Sequence, residues 1–334
     1  MTWTEPGAFP VGDGVHRIPL PLPNDGLRAV NVYAVQTDDG LVLVDAGWAI
    51  PAARAALLAG LAALGAGLSD VRRFLVTHVH RDHYTQAVVL RRETGAAVDL
   101  GIGEKPTLDL LSDPGGNPLA AHVDQLRRLG APVLAEATGK AMRGHELDLS
   151  EWEAPDTWLA AGDLPLPGGR VLEAVPTPGH TAGHLVFHDL AAGLLFAGDH
   201  VLPSITPSIG FEPVLSTDPL GAFLRSLALV RERPDAVLLP AHGGVTDSVH
   251  ARVDELVAHH GRRLDEVLAA VAGTADAAAD VAGVLRWTRH GRTLVELDGF
   301  NQMLAIFETG AHLDLLSAQG RLLREEVDGV LRYR

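Results

Sequence analysis

Seven consecutive residues constrain this chain more than any other stretch: Thr77-His78-Val79-His80-Arg81-Asp82-His83. The apolar run Phe74-Leu75-Val76 before them reads as a buried strand, and the segment from Tyr84 to Arg92 is mostly helix-forming. The segment therefore lies where a strand ends and a helix begins. It places three imidazoles and one carboxylate within six residues, a composition suited to zinc, with imidazole also suiting iron. His78 and His80 lie two apart, so in an extended loop both point to one side. Asp82 and His83 are adjacent and reach a second point nearby. This spacing favours two metals over one.

The downstream chain repeats the pattern of an apolar run followed by a turn with a ligand. His180 lies in Pro176-Thr177-Pro178-Gly179-His180, Asp199 in Phe196-Ala197-Gly198-Asp199, and His242 in Leu238-Leu239-Pro240-Ala241-His242. Loops at strand ends are where functional side chains are expected.

The order H-x-H-x-D-H, a lone His, an Asp and a last His resembles the metallo-β-lactamase-fold hydrolases, glyoxalase II-like enzymes among them. The likeness covers roughly residues 10–250. It implies an α/β, four-layer αββα sandwich. It further implies one metal on His78, His80 and His180, a second on Asp82, His83 and His242, and Asp199 bridging. Asp45, in Leu43-Val44-Asp45-Ala46-Gly47, is implied as a support of the site from behind the ligands. The cofactors implied are two divalent ions, zinc first, with iron or manganese accepted by the same ligands. Such a pair holds a hydroxide between the metals, acidified toward neutrality, that attacks a carbonyl or phosphoryl centre without a covalent enzyme intermediate. Asp82 is then placed to orient the nucleophile or pass a proton. Many relatives carry Gly-Gly just after the motif, whereas this chain has Tyr84-Thr85-Gln86-Ala87, so Tyr84 is expected to project toward the pocket as a catalytic oxyanion donor.

The rest of the chain reads in order. Strands are expected at Val15–Leu20, Ala29–Gln36 and Leu41–Val44, the last two joined across Asp38-Asp39-Gly40. Pro51 opens a helix, and a second helix is announced by Asp218 as N-cap with Pro219 behind it. Residues about 101–160 read as an insertion near the active site, carrying a helix from Pro118 to Leu129 and the apolar bulk of Met142, Trp152 and Trp158. Long insertions are often functional, which suggests a substrate lid or acyl pocket. The division expected is a catalytic domain over 1–250 and a small C-terminal, winged-helix-like domain over 251–334: three helices, then short strands around Asp328-Gly329. Such tails are known on some proteins of this fold.

Composition narrows the function. The chain has no cysteine, which excludes a disulfide and the thiolate ligand that some true β-lactamases use in the bridging position. A formal net charge of −15 disfavours nucleic acid and anionic membrane. Within 251–334 there are ten arginines, no lysine and thirteen acidic residues, so a nucleic-acid module lacks its basic stripe. No signal-peptide pattern opens the chain, and a cytoplasmic location is expected. The expected substrate is a thioester, ester or lactone, as a small molecule or on an acyl carrier. Lys105, Arg127, Arg128, Lys140 and Arg143 are candidates to meet an anionic carrier. A homodimer is possible. The alternative is an endoribonuclease on single-stranded RNA, since a ribonuclease shares the two-part layout. The other histidines, His122, His259, His260 and His312 among them, lack partner spacing and read as structural.

Overall fold

The computed structural model describes residues 2–23, 26–113, 115–141, 148–273 and 275–334. Two sheets face each other, with helices outside both. The first sheet runs in chain order through β1 (Phe9–Gly12), β2 (Val15–Pro21), β3 (Ala29–Thr37), β4 (Gly40–Val44), β5 (Val71–Val76), β6 (Ala97–Gly101) and β7 (Thr157–Leu159). It is antiparallel through β4 and parallel from β4 to β7. The second sheet has the order β12 (Val237–Pro240), β11 (Leu194–Gly198), β10 (Leu185–Asp189), β9 (Val171–Pro176), β8 (Gly162–Pro165).

Strand alternation builds the layers. On β3, Val30, Val32 and Ala34 face one core, and Tyr33 and Val35 face another. The first of these cores lies under α1 (Pro51–Ala63) and α2 (Arg81–Thr94). The second is the seam between the sheets, where Tyr33, Val44 and Leu75 meet Phe187, Phe196 and Leu239. On β10 and β11, Val186, Leu195 and Ala197 turn outward to a third core, beneath α6 (Pro219–Glu232). Helix, sheet, sheet and helix are the four layers expected.

The third core continues across residue 250 without an apolar gap. Phe223 and Leu238 share it with Val253 and Val267 of α7 (Val249–Ala272), Val281 of α8 (Ala278–Val284), and Ile306 and Leu313 of α9 (Gly299–Ala318). The hairpin β13 (Arg324–Val327) and β14 (Val330–Tyr333) closes the chain around Asp328-Gly329.

Residues 101–160 differ from a pure insertion, because β7 pairs with β6 and completes the first sheet. Three residues are too short for alternation to reveal a strand. The connection carries α3 (Lys105–Ser112), α4 (Pro118–Arg128) and α5 (Pro132–Ala141), and Leu126, Leu129 and Ala135 join the third core with α9. Trp152 is buried in the first sheet's outer core, with Trp158 packed against it, so neither stands over the ligand loops. Met142, Arg143 and His145 lie outside the described residues. Among the described residues no helix is long and apolar enough to cross a membrane.

Candidate metal centre

The seven expected ligands come together at one end of the sandwich, on the loops that follow β5, β9, β11 and β12 and, for Asp82 and His83, on the first turn of α2. They fall into two groups. In the first, His78 Nε2 lies 3.0 Å from His80 Nδ1, which lies 3.1 Å from His180 Nε2, which lies 3.5 Å from Asp199 Oδ2. In the second, His242 Nε2 stands 3.5 Å from Asp82 Oδ2 and 3.4 Å from Asp199 Oδ1, and His83 Nε2 stands 3.8 and 3.7 Å from the same two oxygens. Donors bound tetrahedrally to zinc at 2.0–2.1 Å are about 3.3 Å apart, so both groups have the size of one ion. The two oxygens of Asp199 divide between them, which makes it the shared group.

The opposite ring nitrogens explain why these atoms point inward. His180 Nδ1 donates to Ser208 O at 2.9 Å and His242 Nδ1 to Ala29 O at 2.8 Å. His83 Nδ1 lies 2.9 Å from Asp45 Oδ2, and His78 Nδ1 lies 3.0 Å from Thr77 Oγ1. A proton held at Nδ1 leaves the Nε2 lone pair free for a cation. Consistent with that, His83 Nε2, His242 Nε2 and Asp199 Oδ1 are buried with no hydrogen-bond partner. Such atoms are costly unless an ion completes them. The residues present fit two metal ions.

The electrostatics divide in the same way. Burial pushes His80 down to about 3 and His180 to about 4, and holds His78 well below its ordinary value; neighbouring imidazoles add to each. These three rings are neutral, as ligands must be. For His83 burial also opposes charge, but Asp45, Asp82 and Asp199 outweigh it and push the ring up to about 10. A buried spot ringed by three carboxylates favours positive charge, which a divalent cation held there would supply.

Asp45 anchors this half of the site. It sits at φ 60°, a left-handed conformation that Asp tolerates better than most residues. There its carboxylate accepts from Thr77 N at 2.8 Å and Thr77 Oγ1 at 2.9 Å, as well as from His83. His184, fully buried, accepts from Asp199 N at 3.1 Å and holds the shared carboxylate from behind.

A model of the metallo-beta-lactamase superfamily matches residues 25–242. The chain belongs to that superfamily. Within it, the chain is 26% identical over 316 residues to "Probable metallo-hydrolase YqjP" of Bacillus subtilis, covering 91% of each. Among solved structures, it is similar to a beta-lactamase domain protein from Burkholderia ambifaria (TM-score 0.77, 28% identity, 99% of this chain and 96% of that one). It is also similar to a metallo-beta-lactamase family protein from Thermus thermophilus (TM-score 0.73, 29% identity, 96% and 98%). Two Aspergillus fumigatus relatives are longer. "Lactamase-like protein nscB" is 26% identical over 81% of this chain and "Atrochrysone carboxyl ACP thioesterase" 26% over 74%, and the chain spans 65% and 45% of their lengths.

Within this superfamily site Tyr84 does not play the part expected of it. It is fully buried in the core under α2, and its hydroxyl donates to Glu153 O, away from the ligands. Position 84 lies on the first turn of α2, on the side that the helix turns inward. The cations suggested for a carrier are locally paired: Lys105 with Asp109, Arg127 with Asp124, Arg128 with Glu326 and Lys140 with Glu136.

Sequence reasoning missed the aromatic wall beside the first group. The Phe211 ring lies 6.4 Å from that of His80, His122 stacks on Phe211 at 4.7 Å, and Phe300 meets it edge-on at 5.5 Å. Three remote segments contribute one ring each, so no local spacing signals it. A further grouping, His259, His260 and Glu308, lies between α7 and α9. The charge of Arg263 acts on all three of its members and opposes a cation there.

Proposed function

We propose that this protein is a binuclear hydrolase, with zinc in both sites, that cleaves a thioester, ester or lactone bond in a small acyl or acyl-carrier substrate. The observation that carries the reading is Asp199, whose two oxygens face two complete ligand groups. Two divalent ions held by these groups would lower the pKa of bound water toward neutrality and polarise an acyl oxygen.

The chain's own residues do the rest. Four imidazoles are held in the tautomer that ligation needs. Asp82 is the more exposed of the two ligand carboxylates, 16% against 8% for Asp199, and is the group placed to orient water or hold a proton at the rim. The wall of Phe211, His122 and the exposed Phe300 offers an apolar surface beside His80 for an acyl group. One relative's name points the same way, that of an acyl-carrier-protein thioesterase. The net-negative segment 251–334 supports a substrate that is not nucleic acid.

The test is thiol release from a panel of acyl-CoA thioesters by protein shown to hold two metals, with His78→Ala as control. Release that disappears in the variant supports the reading. No release from thioesters, together with no opening of lactones, overturns it. Cleavage of single-stranded RNA by the same sample would replace it.

A further inference from the structure

One buried carboxylate near the centre is not a ligand. Glu104 follows β6, and its side chain is fully buried. Its Oε1 accepts from the hydroxyl of Thr181, one residue past His180. The backbone N–H groups of Val79 and Gly183 also favour its charged form. Val79 stands between His78 and His80. Through Thr181, Glu104 therefore holds the turn that supplies His180 to the first group.

The backbone holds Glu104 there with no slack. A Cβ on Gly183 would stand 2.1 Å from Glu104 N, and one on Gly101 would stand 2.2 Å from Gly183 O. A Cβ on Gly103 would stand 2.7 Å from Gly183 Cα. The strand exit at 101–104 and the turn at 182–183 thus lie backbone on backbone, and only glycine allows it. Glu212 completes the clamp from the other side by accepting from Ala182 N at 2.8 Å.

His80 differs from the other ligand imidazoles in how its ring is held. The other four imidazoles have a second nitrogen held by a partner. Among the described residues the Nε2 of His80 makes no hydrogen bond, so backbone placement must aim its ring.

We propose that Glu104 is the positioning residue of the first metal site. It ties the strand exit after β6 to the turn that carries His180, so that this imidazole keeps the place beside His78 and His80 that one ion requires. Burial without full satisfaction fits such a role: Oε2 has no hydrogen-bond partner of good geometry, and burial pushes the carboxyl up to about 8 against the pull of Thr181 and the two amides. The proposal rests on the two-metal reading of the centre and not on the identity of the substrate.

The experiment is a cobalt(II) titration of metal-free protein against a competing chelator, followed by the visible spectrum of each bound ion. His180→Ala marks the loss of the first site and His242→Ala the loss of the second. In Glu104→Leu, which removes both oxygens at similar volume, the first-site affinity should fall about 10- to 100-fold, the range for partners behind a ligand, with the second site unchanged. Thr181→Val, which removes one contact, should weaken the same site less, and it carries the test if Glu104→Leu does not fold. Unchanged affinities, equal loss at both sites, or loss at the second site alone overturns the proposal. The readout is metal affinity, so a failed thioesterase assay leaves this result standing, and the reverse also holds.

Discussion

Replacing Asp45 by Asn should cost the protein its second metal while sparing the first. Asn tolerates the left-handed backbone at φ 60° nearly as well as Asp, so the main chain stays in place. What changes is the partner of His83 Nδ1, now 2.9 Å from a carboxylate oxygen. An Asn can offer its one oxygen to Thr77 or to His83, not fully to both. With its amide toward His83, the ring is driven to the tautomer with hydrogen on Nε2, the atom that faces Asp82 and Asp199. A hydrogen bond to a charged group contributes about 1.5–3 kcal/mol. A 10- to 100-fold loss of metal affinity, the usual result of removing such a partner, corresponds to about 1.4–2.7 kcal/mol, so the two estimates agree. The assay is calorimetric metal titration of the metal-free variant, with His242→Ala marking a missing second site. Asp45→Ala serves as the contrast, since a left-handed Ala adds roughly 1–2 kcal/mol of backbone strain and should lower stability as well. Two sites of wild-type affinity in Asp45→Asn, or loss of the first site before the second, would refute the argument.

Three further outcomes follow from the same geometry. Burial drives His122 down to about 4, so below pH 6.5 the unfolded chain takes up a proton that the folded chain refuses, and stability falls as pH drops toward 4. Between pH 7 and 5 wild type should lose roughly 2 kcal/mol more than His122→Phe in urea unfolding, and parallel pH profiles would count against it. Gly179 has φ 139°, and a Cβ there would stand 2.5 Å from the Phe223 backbone, so Gly179→Ala should cost roughly 2–4 kcal/mol and displace His180; an unchanged Tm would contradict this. Removing metal with a chelator should lower Tm, because an ion present at about 100 times its Kd adds about 2.7 kcal/mol to the folded state, and an identical Tm with and without chelator would mean that neither site is built in the fold.

The ligand set is legible in the sequence because each member sits in a short local signal, an apolar run and then a turn. The same is true of Asp38-Asp39 as a hairpin loop and of Asp218 as the cap of α6, where it accepts from Gly221 N. What escapes depends on pairing between distant segments. Ala29 O and Ser208 O fix two ligand tautomers, yet a carbonyl leaves no mark in a sequence. Strand β7 reads as insertion because only its partner β6 makes it a strand. Tyr84 misleads for the opposite reason: its neighbourhood in sequence is the motif, but helical rotation separates adjacent residues by about 100° and sends it to the core while His83 stays at the centre.

Two buried carboxylates that bind no metal thus divide the support of the centre. Asp45 acts on a ligand side chain, through the tautomer of His83, and Glu104 acts through Thr181 on the turn after His180. They serve different metals and share no hydrogen-bond partner, so their effects should be separable. Combined in one chain, Asp45→Asn and Glu104→Leu should each weaken its own site by the amount seen alone, adding within about 0.5 kcal/mol, as independent positions do. Asp199 is the one route by which they could couple, because its two oxygens face both groups. If losing the second ion frees Asp199 to swing, the first site weakens too, and the double variant departs from additivity in that direction. The size of that departure, read as metal affinity at the His78, His80 and His180 site, measures how far the bridging carboxylate is held by His184 and the β11 backbone rather than by the ions themselves.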